Sequence, residues 1–134
     1  MKPSLLLPLL ATVAACPIGP RAGSFPAAQS PRGIQADIRL VRQKTAVRGE
    51  LLEVRDSTLL MLRDGARVTS VPIRAIRLGS FDRQGQLIDG GRLSQGNREK
   101  LRLMSRFPAS LRAEVLAQLL AAYGQTEPDQ VVQP

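Results

Sequence analysis

The sequence predicts a mainly β protein with a helical supplement: a small barrel of five short strands followed by a pair of helices. Three observations lead there. From Asp37 to Phe81, short β-branched and leucine-rich runs are separated by turn signals and hold a single proline, Pro72. The alternation breaks inside the second run, near Leu52, as a bulged and bent strand requires. After Gly96 the apolar residues recur three and four apart, the period of an amphipathic helix, and Pro108 splits that segment in two.

Each element has its own signal. Ile38, Leu40 and Arg42 alternate with Arg39 and Val41 in a first strand, which Gln43-Lys44 interrupts. In the second, Val47, Gly49 and Leu51 share one face while Arg48 and Glu50 share the other, and the pattern shifts over Leu52 to Val54. Arg55-Asp56-Ser57 is a turn, Thr58 to Leu62 a third strand, and Arg63-Asp64-Gly65-Ala66 carries an Asp-Gly hairpin signal before a fourth strand, Arg67 to Val71. Pro72 cannot donate to a ladder and ends the pairing. Ile73 and Ile76, three apart, suit one helical turn ahead of a fifth strand, Arg77 to Phe81. Five strands with such a turn before the last describe an SH3-like barrel over 37–81.

Residues 82–96 hold Gly85, Gly90, Gly91 and Gly96 and read as a loop with room for a short strand at Gln86 to Ile88. No dinucleotide fingerprint or phosphate-loop lysine spacing occurs among these glycines. Ser94 or Asn97 suits the cap of a helix reaching about Arg106, because Pro108 drives Phe107 out of helical geometry. A second helix runs from about Ala109 to Tyr123, with Leu111, Val115, Leu116, Leu119, Leu120 and Tyr123 on one stripe and Gly124 as its stop. The pair spans 97–124. Its stripe is expected to pack on the barrel or the preceding helix, since a barrel this small is marginal alone; a docking groove or homodimer contact is the alternative. Residues 125–134 are polar and proline-containing and are expected to fray as a disordered tail.

Composition narrows function. The 134 residues carry 19 Lys or Arg against 11 Asp or Glu, a formal +8, with no His and one Cys. That removes the commonest acid-base residue, an internal disulfide, a cysteine-rich zinc site and a two-cysteine redox motif. Neither a cofactor nor a metal is implied. Catalysis has only thin candidates in Lys44, Lys100, Glu50, Glu53 and Asp56, and the protein is expected not to be an enzyme.

The amino end supplies an address. Leu5 to Ala15 is an apolar run broken by Pro8, too short to span a bilayer but of secretory length. Val13-Ala14-Ala15-Cys16 resembles the lipobox of bacterial lipoproteins. The resemblance implies a signal peptide over 1–15, cleavage before Cys16, lipid on the Cys16 thiol, and residence in the cell envelope as a membrane-anchored lipoprotein. Ordinary signal-peptidase cleavage, after Ala15 or near Ala27-Ala28, would instead release a secreted or periplasmic protein. Residues 16–36, with Pro17, Pro20, Pro26 and Pro31, read as a disordered proline- and glycine-rich tether.

The stretch Arg48-Gly49-Glu50-Leu51-Leu52-Glu53-Val54-Arg55-Asp56 resembles the first signature of Sm-like proteins. There the glycine permits the bend of strand two and the aspartate shapes the loop that meets RNA; Gly49 and Asp56 occupy those positions. Leu59 stands where the family has its RNA-contacting asparagine, and Arg77-Leu78-Gly79 replaces its Arg-Gly signature. The resemblance therefore implies the fold more than the nucleotide pocket. Nucleic acid is further disfavoured by a chain with only one Tyr, three Phe and no Trp for stacking.

Arg98, Arg102 and Arg106 recur every four residues, a spacing at which like charges repel. Solvation, with help from Glu99 and from Asp82 or Asp89, is one account; contact with an anionic surface is the other. The whole reads as a non-catalytic envelope lipoprotein, tethered to a membrane through Cys16, whose basic barrel and helices bind a protein partner or an anionic membrane surface. A protein partner or second copy would use the barrel edge or the Leu111–Tyr123 helix. The alternatives are an Sm-like RNA-binding protein, if the amino end is not processed, and a soluble secreted binding protein.

Overall fold

The computed structural model describes residues 32–64 and 66–131, so the expected signal peptide, Cys16 and the chain before Arg32 lie outside the described residues. The strands are β1 (Gln35–Leu40), β2 (Val47–Val54), β3 (Thr58–Arg63), β4 (Arg67–Pro72), β5 (Ile76–Phe81), β6 (Gly85–Asp89) and β7 (Asp129–Gln130). A 3-10 turn, Ile73–Ala75, precedes β5, and the helices are α1 (Gln95–Met104) and α2 (Ala113–Ala122).

All seven strands form one sheet in the order β6-β5-β1-β2-β3-β4-β7. The expectation of a closed five-stranded barrel is thereby corrected. β6 extends the sheet beyond β5 and β7 extends it beyond β4, and these two edge strands do not pair with each other. β6 falls where a short strand is expected, at Gln86 to Ile88 within the glycine-rich loop, whereas β7 arises from the segment read as a tail. β6 turns back on β5 through Arg83 and Gly85, both at positive φ.

The bend of β2 is a bulge. Leu51 lies opposite Met61 and Glu53 opposite Leu60, leaving Leu52 as the extra residue. Gly49 precedes it, at a close approach to β3 where a Cβ would run into the carbonyl oxygen of Leu62.

Each face of the sheet's centre is covered, because β3 reads Thr58-Leu59-Leu60-Met61-Leu62-Arg63 and is apolar on both sides. Leu59 and Met61 join Ile38, Leu51, Val71 and Ile76 in one cluster, which Leu101 of α1 also enters. Leu60 and Leu62 join Leu52, Val68 and the α2 residues Val115, Leu119 and Leu120 in the other. The helices thus serve different clusters, one on each side of the sheet. Phe107, in the connector between them, is 1% exposed and anchors the second cluster; burying such a ring is worth roughly 2–3 kcal/mol.

Candidate functional site

Each of the three arginines of the stripe is engaged by acceptors within the chain. Arg98 donates through Nη1 to the Arg55 carbonyl at 2.8 Å and through Nη2 to that of Asp56 at 3.1 Å, fastening the β2–β3 turn. Arg102 donates to the Pro108 carbonyl at 2.6 Å and pairs with Glu99 one turn back on the helix. That hydrogen bond holds the Glu99 carboxyl below its ordinary range and raises the Arg102 guanidinium. Arg106 lies past the end of α1 and makes a fork to Glu50, Nε to Oε2 and Nη2 to Oε1, each at 2.7 Å. Neither Asp82 nor Asp89 is the partner of any of the three.

Glu50 and Glu53 are the polar centre of this region, and sequence spacing concealed it. On a regular strand residues three apart face opposite ways. The bulge at Leu52 returns Glu53 to the Glu50 side, as their partners Leu62 and Leu60 on β3 demonstrate. Glu50 also accepts from the Gly33 amide at 2.6 Å, and Glu53 accepts from Arg55 at 2.7 Å and the Leu111 amide at 2.8 Å. Between these pins the connector pairs with β2: the Arg106 and Phe107 amides donate to the carbonyls of Leu51 and Leu52. Both carboxylates are therefore committed to holding the chain together.

The two sheet edges are also occupied, in part, by the chain's own amide side chains. On β4, Gln125 accepts from the Val68 amide at 2.8 Å and donates to the Val68 carbonyl at 3.0 Å, taking the place of a neighbouring strand. Just beyond it β7 runs parallel to Thr69 and Ser70, with Asp129 forked onto Arg67. The segment expected to fray is held through this contact as far as Val131, whose amide donates to Ser70. On β6, Asn97 donates to the Leu87 carbonyl at 3.2 Å. The Leu111–Tyr123 face is likewise covered, since Leu111, Val115, Leu119 and Leu120 are buried against the sheet.

Of the positions that resemble the Sm-like signature, Gly49 lies on the bent strand and Asp56 in the exposed β2–β3 turn. Leu59 is fully buried and Gly79 packs between Ile38 and Ile88, so neither presents a recognition group. A groove of about 500 Å³ beside Asp56 is bordered by Ser57, Arg74, Gly91 and Arg98.

A different set of cations is unengaged. At the end of the sheet formed by the β1–β2 turn and the 3-10 turn, Arg39, Lys44, Arg74, Arg77 and Arg92 are exposed. The backbone draws them together: the Val41 amide donates to Ala75, Gly90 to Arg77 and Gly91 to Ile76. Val41 stands among them 50% exposed.

No group of three or more metal-ligating side chains occurs among the described residues, and no described helix is long and apolar enough to cross a membrane. No protein-family model, no curated protein and no solved structure matches the chain.

Proposed function

We propose that this chain is a non-catalytic cell-envelope lipoprotein, attached to a membrane through Cys16, whose basic folded domain binds a protein partner or an anionic membrane surface. The observation that carries the reading is the placement of the chain's single cysteine at the end of Val13-Ala14-Ala15-Cys16, directly after an apolar run of export length. The domain's charge supports it. The five central strands, in the order β5-β1-β2-β3-β4 with a bent β2 and a helical turn before β5, support an SH3-like or Sm-like plan for its core.

The acid-base candidates fit a binding role better than a chemical one. Glu50 and Glu53 are consumed by structural hydrogen bonds, while Lys44 and Lys100 are exposed. Of the routes to a protein partner, the α2 face and the β4 edge are filled from within, and β6 is the less defended edge. Incorporation of labelled fatty acid into the wild-type chain, abolished by Cys16→Ser, tests the anchor; equal labelling of both would refute it.

A further inference from the structure

We infer that the end of the sheet around Val41 is the face that docks on anionic phospholipid headgroups, and that the α1 arginines are not. This deepens the membrane-surface reading proposed above and rests on it. The α1 stripe is a poor candidate because each guanidinium there already holds an acceptor of the chain, and Arg106 has a side-chain exposure of only 14%. Swinging such groups toward headgroups would leave Glu50 buried without its partner, which is costly.

Around Val41 the situation is reversed. Arg39, Lys44, Arg74, Arg77 and Arg92 are exposed and make no ion pair among the described residues. Two carboxylates flank them: Asp89, opposite Leu78 on β6, and Asp56, across the groove from Arg74. The balance is strongly positive, and it is held on backbone that cannot rearrange far. β1 and β5 pair on either side of a bulge at Arg39/Leu40, which leaves Arg77 as the extra residue. Gly91 lies so close over Arg74 that a Cβ would meet its carbonyl oxygen at 2.7 Å.

Cations around a half-exposed aliphatic side chain match the two demands of a lipid interface. The guanidinium and ammonium groups meet phosphate, and Val41 enters the boundary between headgroups and acyl chains. Nucleic acid would ask for stacking surfaces, and the patch has none. Phe81 and Phe107 are buried, while Tyr123 lies at the carboxyl end of α2, in the other cluster.

The test uses full-length chain carrying Cys16→Ser, so that acylation plays no part in any arm. Sedimentation is measured with vesicles of phosphatidylcholine alone and with about 30% phosphatidylglycerol, at low salt and at about 0.5 M NaCl. The expected result is binding about tenfold tighter on the anionic vesicles, lost at high salt and lost in Arg74→Glu/Arg77→Glu. Arg83→Glu/Arg112→Glu, with the same net charge but substituted at exposed sites outside the patch, retains it. Equal binding to the two vesicles, or equal loss in both double variants, overturns the assignment. So does a patch variant that loses affinity for single-stranded RNA while its vesicle binding is unchanged. An unlipidated mature protein would sink the anchor without touching any of these outcomes.

Discussion

Arg106 and Glu50 form a fork of two parallel hydrogen bonds, each 2.7 Å long, between the connector that follows α1 and the bend of β2. Their side chains are 14% and 6% exposed, and the Glu50 carboxylate takes a third bond from Gly33. One pair thus ties the start of the folded domain, its central strand and its helical region to a single point. Removing one member of a buried pair leaves the other charge unsatisfied. Arg106→Met is expected to destabilise the fold by about 3 kcal/mol, and Glu50→Met/Arg106→Met by distinctly less. Urea midpoints of the two variants check this; equal losses would show that the pair's charges are screened from each other.

Gln125, itself buried, takes the place of a neighbouring strand beside Val68 of β4. Gln125→Ala leaves the amide and carbonyl of Val68 unpaired beneath the C-terminal segment, at an expected cost of about 2 kcal/mol. It also bares an edge that can pair with another chain. Light scattering of the variant over a concentration series is expected to show self-association absent from the wild type.

The Arg67 hydrogen bond holds the Asp129 carboxyl below its ordinary value of 3.8. A lowered carboxylate pKa stabilises the folded form above the unfolded value, and that contribution is lost as pH falls through the folded value. The contact of β7 with β4 is therefore expected to be intact above the ordinary carboxylate value of 3.8 and to loosen only as pH falls below it. Its exposure adds a salt dependence. An NMR titration of Asp129 checks both, with Arg67→Ala returning its carboxyl toward the ordinary range.

Two glycines are expected to respond oppositely to alanine. At Gly49 the added methyl meets backbone of β3, so Gly49→Ala forces the strands apart, costing about 3 kcal/mol. At Gly96, in the first turn of α1, nothing lies within 4 Å of a new Cβ. Gly96→Ala is expected to stabilise by about 0.5 kcal/mol. Thermal unfolding of both variants reads the two signs.

Local signals carried the strands well. The break at Leu52, the Asp-Gly turn and Pro72 act within a few residues, and β2, β3 and β4 fall where those signals put them. What escaped is non-local. Nothing around Gln125 announces that its amide will meet Val68, and nothing around Asp129 announces Arg67. The Arg98, Arg102 and Arg106 spacing was legible as a stripe only while α1 was treated alone; Ser105 ends the helix, and Arg106 then turns back on Glu50. The patch around Val41 is assembled from β1, the 3-10 turn, β5 and the turn after β6, which no single window of sequence spans.

The intact mass of the protein recovered from cell membranes tests the account most directly. A mature chain beginning at Cys16 and heavier than its polypeptide by a lipid modification is the predicted result. A soluble chain that retains Met1 and carries no lipid would contradict it.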